Sequence, residues 1–221
     1  VYEIEPELDK RIHALYDDAK VSLWAEFTPE FVKTIPNALE ITTKSQDREQ
    51  YIADPASGEE LSDAAVATLE KLRSSWNGKN PDVQIIISDG LNAKAIMDKG
   101  HVLPYLEALQ KDLKAAGLSV SQKTLVVTTG RVRAGYKVGN VLYAKGDAGK
   151  DATIIHVIGE RPGSGHHNFS VYIASPKAKV WQDKKVDHDI VRVISGISDT
   201  ALTPDKAATE TVRLVKKINA R

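Results

Sequence analysis

The chain has 221 residues, 42% hydrophobic and 27% charged, a balance that supports one sizeable buried core and excludes a disordered chain. Thirty basic residues offset thirty acidic ones, so no global charge draws nucleic acid or an anionic membrane, and neither is expected as a partner. The lack of cysteine excludes a disulfide framework, a thiolate metal site and a cysteine nucleophile. No apolar run approaches the roughly 20 residues that cross a bilayer. No secretory pattern opens the chain, and it begins at Val1, as a processed or trimmed chain does; the expectation is a soluble protein.

Residues 5–20 carry Leu8, Ile12, Leu15 and Tyr16 at a spacing that lines one helix face, and Pro29 and Pro36 interrupt the next segment. Residues 62–76 predict a clearer helix, with Ser62 as N-cap, Val66, Leu69, Leu72 and Arg73 on one face, and Asn77-Gly78 as its stop. The grammar then changes, which predicts a helical N-terminal region over 1–78 and an α/β domain over 79–221. Three β-branched runs occupy this second part: VQIIIS at 83–88, TLVVTT at 124–129 and TIIHVI at 153–158. They are apolar nearly throughout, as strands buried on both faces are. Between the first two, Leu106, Leu109 and Leu113 share a face and Gly117 stops the segment, which suits a crossover helix between parallel strands. NFSVYIAS at 168–175 reads as a further strand, antiparallel because its connection is short, and 205–218 as a closing amphipathic helix. The fold class is therefore α/β: a mostly parallel sheet flanked by helices, with a helical N-terminal segment.

Open α/β sheets bind ligands beyond the carboxyl ends of their strands. The three runs end in polar, glycine-bearing loops, SDGLN (88–92), TTGRVRAG (128–135) and GERPGSG (159–165), which share one rim if the strands are parallel. GSG lacks the G-x-G-x-x-G spacing and leads into a strand rather than a helix, and no Walker sequence occurs, so its glycines read as a turn. His166 and His167 point to opposite faces of an extended chain and lack partners of HExxH type; they read as a solvated loop end, and Asp187, His188 and Asp189 as a surface cluster. No metal is expected. His156 reads as a hydrogen-bonded core histidine. Ser88 lacks the G-x-S-x-G setting and no histidine is placed beside it, which leaves Asp89 to cap the next helix or orient a ligand. Arg131, Arg133 and Arg161 sit on two neighbouring loops, where guanidinium groups either hold a phosphate or amide-rich ligand edge or form rim salt bridges. These residues define a rim for something polar and do not name it.

Taken in order, NPDVQIIISDGLNAKAI (80–96), TGRV (129–132), GERPGSG (159–165), ASP (174–176) and VISGI (193–197) resemble the small subunit of ethanolamine ammonia-lyase. YIADPASGEEL (51–61) is similar to the segment preceding a helix in that family, so the resemblance runs from Tyr51 to the C-terminus, with AKGDAGKD (144–151) reading as an insertion. It implies a Rossmann-like domain covering adenosylcobalamin against a large TIM-barrel subunit that holds a small amino alcohol. The chain is then one subunit of an ammonia-lyase, inactive alone and without a catalytic residue of its own. The implied cofactor contacts are Val132, Glu160 and Val193, with Gly130, Arg131 and Arg161 beside them. A carboxylate acceptor, guanidinium donors and small apolar residues suit the amide-fringed corrin disc. The chain lacks Asp-x-His-x-x-Gly, so the resemblance also implies that dimethylbenzimidazole stays on cobalt. Enzymes of this family are cytoplasmic and often packaged in bacterial microcompartments. The competing expectation is a noncatalytic assembly or small-ligand-sensing module that keeps the α/β rim.

Overall fold

The computed structural model describes residues 4–144, 151–163, 165 and 167–220; most of the stretch read as an insertion, and His166, lie outside the described residues. Local signals set the helix starts. α1 (Pro6–Trp24) opens on a proline, with Glu7 and Asp9 in the first turn, where the helix dipole favours negative charge. Side chains then cap four helices in turn. Thr28 accepts from the Phe31 N–H ahead of α2 (Pro29–Thr34), and Asp47 from the Gln50 N–H ahead of α3 (Arg48–Ala53). Ser62 accepts from the Ala65 N–H ahead of α4 (Asp63–Ser75), and Asn92 from the Ala95 N–H ahead of α5 (Ala93–Met97). α6 (Val102–Ala115) stops at Gly117, whose φ of 74° lets its N–H reach Lys114 and the Leu118 N–H reach Leu113. The remaining helices are α7 (Val132–Tyr143), α8 (Ala178–Gln182) and α9 (Pro204–Asn219).

The strands are β1 (Ala38–Thr42), β2 (Val83–Ser88), β3 (Thr124–Thr128), β4 (Thr153–Gly159), β5 (Phe169–Ala174) and β6 (Arg192–Ile197), joined in one sheet of order β1-β3-β2-β4-β5-β6. β1, β3, β2 and β4 are parallel, while β5 is antiparallel to both β4 and β6. The α/β class, the mostly parallel sheet, the helical N-terminal segment and the antiparallel 168–175 strand are as the sequence predicts. Alternation along the central strands divides the core in two. Ile85, Ile87, Val126, Ile155 and Val157 pack with residues of α6 and α9 on one face. Ile86, Leu125, Val127 and Ile154 pack with residues of α4, α7 and α8 on the other.

β6 and α8 lie where no element is expected, and β1 and α7 run against the reading itself. β1 falls within 1–78, the region expected to be helical, and pairs with β3 from Ala38↔Thr124 through Thr42↔Thr128. Only Ile41 of its five residues is buried, so it lacks the apolar run that marks the central strands. α7 starts within 128–135, which reads as a strand-end loop, and its Gly135 and Gly139 lower helix propensity. Packing requires both. A Cβ at Gly135 would strike the His156 ring and one at Gly139 the Trp181 ring. The chain places β3 on one side of β2 and β4 on the other. The direction of winding therefore switches at β2, and the loops after β2, β3 and β4 surround its carboxyl end.

Candidate functional site

Over that end opens a cleft of about 240 Å³, lined by Tyr51, Glu59, Gly90, Leu91, Arg131, Val132, Arg133, Ile158, Gly159, Glu160, Arg161, Tyr172 and His188. Its floor depends on glycine. A Cβ on Gly90, where φ is 58°, would enter the Gly159 carbonyl, and one on Gly159 would enter that of Asn92; the Leu91 N–H donates to Gly159 O at 3.2 Å across the seam.

One wall is built outward from Asp89. This fully buried carboxylate accepts from the Thr129 N–H at 3.0 Å and the Gly130 N–H at 3.1 Å, with Arg48 Nη1 at 3.5 Å. Burial pushes its pKa up to about 6, against the opposing pull of Arg48 and the backbone donors. Arg48, itself buried, also donates to the carbonyls of Gly90 and Leu23, each at 2.8 Å. Two guanidinium groups lie over the Tyr51 ring, those of Arg48 and Arg131, each 4.6 Å from its centroid. Arg131 is tied at both ends: its N–H donates to Gly58 O at 2.9 Å and its Nη2 to Tyr51 O at 2.8 Å. Its buried Nε has no acceptor among the described residues.

On the other wall the Tyr172 hydroxyl donates to Glu160 Oε1 at 3.4 Å; burial, reinforced by the Glu160 charge, pushes the phenol up to about 12. Arg133 pairs with Glu59 at 3.2 Å and Asp187 at 3.1 Å, so of the two readings for this arginine the rim salt bridge is the one observed. Asp187, His188 and Asp189 are exposed, as the surface reading expects, but His188 also reaches the Tyr136 hydroxyl through Nδ1 at 3.0 Å and lines the cleft.

Of the residues singled out by resemblance, Arg131, Val132, Glu160 and Arg161 line this cleft. Gly130 lies beneath it, where a Cβ would meet Ser88 Oγ, and accepts from the Tyr51 hydroxyl at 3.4 Å. Val193 is not in the cleft wall; it sits on β6 opposite Tyr172, 44% exposed. Among the described residues no group of three histidine or carboxylate side chains is placed to hold a metal.

Two further readings change. Ser88 does have a histidine beside it, for His156 Nε2 lies 2.7 Å from its Oγ. Both are fully buried, burial pushes the imidazole down to about 4 and keeps it neutral, and Asp89 is committed to the Thr129–Gly130 turn. The pair is a core hydrogen bond and not a nucleophile with its base. His167 is not a solvated loop end. Its Nε2 faces Asp18 at 3.0 Å and Ser22 at 3.3 Å, and its Nδ1 faces Asp98, so it clasps α1 to the turn after α5. Sequence reasoning also missed Arg48, Tyr51, Tyr172 and His188 as parts of the site. Only Tyr51 carried a signal, as the first residue of YIADPASGEEL.

A family model described as ethanolamine ammonia-lyase light chain (EutC) matches residues 4–221. The chain belongs to this family. The match reaches back past Tyr51 to take in α1, α2 and β1, which the motifs by themselves left outside. Membership makes the chain a subunit of a lyase, and a light chain implies a heavy partner subunit. Among the described residues no helix is long and apolar enough to cross a membrane.

Proposed function

We propose that this chain is the light subunit of an adenosylcobalamin-dependent ethanolamine ammonia-lyase and that its cleft forms one wall of the cofactor site, closed by a heavy TIM-barrel subunit. The observation that carries the reading is the meeting of TGRV and GERPG, the two loops most specific to the resemblance, in one cleft with donors on one wall and an acceptor on the other. The donor set suits a corrinoid edge. Arg131, which lines the cleft, would donate to an amide carbonyl; Glu160 would accept from an amide N–H; Val132 and Leu91 would cover the apolar rim between them. The size agrees. A cleft of about 240 Å³ falls below the roughly 300–1,000 Å³ that encloses a drug-sized ligand. It receives an edge of the corrinoid and leaves the disc to the partner, which makes the chain inactive alone. Val193, on β6 opposite Tyr172 and outside the cleft, would meet the corrinoid beyond this wall. Bound there, adenosylcobalamin supplies the radical chemistry by which ethanolamine gives acetaldehyde and ammonia. The chain's own residues orient the edge and exclude water. A cytoplasmic setting, with packaging in a bacterial microcompartment, belongs to the same proposal.

Co-expression with a heavy subunit tests this reading. The two chains should copurify, and the complex should release ammonia and acetaldehyde from ethanolamine when adenosylcobalamin is added. Glu160→Ala removes a charged acceptor whose hydrogen bonds are worth about 1.5–3 kcal/mol, so corrinoid affinity of the complex should fall by at least about tenfold. Its melting temperature should hardly move, because the long Tyr172 contact is the side-chain bond that is lost. Failure to copurify with any heavy subunit, or an affinity indifferent to Glu160→Ala, counts against the cleft as cofactor wall.

A further inference from the structure

Resting on the reading of the cleft as a corrinoid wall, we propose that Asp89, with Arg48 as its counter-charge, is the positioning residue that sets Arg131 and Val132 for the cofactor. Neither Asp89 nor Arg48 lines the cleft, and both act through the backbone of the turn between β3 and α7. The turn is an awkward one. Thr129 sits at φ 57°, a region that side chains bearing a Cβ disfavour, and Gly130 is pressed against Ser88 with no room for a Cβ. Two consecutive backbone N–H groups, of Thr129 and Gly130, point inward to the same carboxylate, one to each oxygen. A buried acceptor shared by two donors holds a turn in one conformation, because neither N–H has water as a substitute when the carboxylate is lost.

Arg48 carries the same constraint to the next layer. It reaches Asp89 at 3.5 Å, pins Gly90 of the adjoining loop at 2.8 Å, and lies against the Tyr51 ring that Arg131 also packs on. Both guanidinium groups stand 4.6 Å from that ring, so the Arg131 side chain is fixed between a tyrosine held by Arg48 and a turn held by Asp89. The Arg131 fork is then presented with little rotamer freedom left to lose on binding, which is how a preorganised donor raises affinity. The groups facing Asp89 are Arg48 and Tyr51 from α3 and the N–H groups of Gly90, Thr129 and Gly130; Arg131 packs on the tyrosine ring. With burial raising its pKa to about 6, Asp89 gains a proton within an accessible range. The protonated acid is a poorer acceptor for two N–H groups, so the turn loosens as pH falls through that value.

The test uses the assembled complex of light and heavy subunits, with hydroxocobalamin affinity read by its visible spectrum, and the light chain without corrinoid, with amide exchange read over 128–133. In the wild type, affinity should weaken by about tenfold as pH drops from about 8 to about 5, with a midpoint near 6. Asp89→Asn should hold affinity near the wild type's low-pH level at every pH and so flatten this profile, and should speed exchange at Thr129 and Gly130 while leaving β5 as slow as before. Arg48→Met keeps the carboxylate and strips its counter-charge, so the midpoint should move to higher pH. It also serves if Asp89→Asn does not fold. A wild-type profile in the Asp89 variant, or an unmoved midpoint in the Arg48 variant, overturns the inference. Glu160→Ala, measured alongside, separates the two levels: if it weakens binding and the Asp89 and Arg48 variants do not, the positioning role fails and the cofactor wall stands. If Glu160→Ala has no effect, the reading of the cleft fails with it.

Discussion

His156 shows how a single residue is settled by neighbours far away in sequence. Its Nε2 is held by Ser88 at 2.7 Å, and its ring lies against α7 where only Gly135 leaves room. Gly135→Ala therefore sets two effects against each other. Alanine gains about 1 kcal/mol of helix propensity over glycine, while forcing a methyl group into a packed core costs about 1–3 kcal/mol. The ring cannot swing aside without breaking the Ser88 bond, so the loss should win. Urea denaturation should give a lower midpoint at unchanged slope, and a raised midpoint would show that the ring yields. At this scale Ser88, Asp89, Gly130 and Glu160 were visible in the sequence because each stands in a short motif at a strand end. The Ser88–His156 bond and the Arg48–Tyr51–Arg131 stack were not, because contacts between residues 68 or 80 positions apart leave no local period to read.

α1 was legible from its spacing, but what holds it was not. Its apolar residues Leu8, Leu15 and Tyr16 are 44–62% exposed, and its only buried residue is Ser22. The clasp at His167 is thus a large part of its attachment, joined by the Lys94–Asp18 pair at 3.5 Å. For this half-buried ring, desolvation acts to lower the pKa, but the hydrogen bonds and charges of Asp98 and Asp18 prevail and raise it above 6.5. For Asp18 burial acts upward, and His167 and Lys94 prevail and lower it. A histidine whose folded pKa is raised stabilises fully below its unfolded value and ceases to do so as pH rises through the folded one. Amide protection of α1, its exchange measured against the unfolded rate at the same pH, should accordingly be high at about pH 6 and fall toward about pH 9. His167→Gln should be weakly protected at both, with the variant and the wild type converging at the alkaline end. An α1 equally protected at both pH values in the wild type would remove His167 from this role. α7 was illegible for the opposite reason: the glycines that weaken its helix signal are the ones its packing on β4 and α8 demands.

At the scale of the molecule, the cleft draws on both sides of residue 79. Tyr51 and Glu59 come from before it, and the residues of the three strand-end loops come from after it. The sheet does the same, since β1 extends it by pairing along all of β3. Four of the five β3 residues are buried, so a chain lacking β1 offers an open apolar edge, the kind that pairs with other chains. Two truncations separate the contributions. A chain starting at Thr28 loses α1 with its Asp18 and Ser22 ties and the Leu23 carbonyl that Arg48 uses, but keeps β1 and the Tyr51 stack. It should melt at a lower temperature in one cooperative transition. A chain starting at Lys79 keeps every motif from SDGLN onward and still loses the β3 edge cover, Arg48 and Tyr51 together. It should elute as aggregate in size-exclusion chromatography and lack a cooperative melt. If it is instead monomeric and melts cooperatively, β1 and α3 are accessory to the sheet, and the Arg131 wall must hold its shape from Asp89 alone.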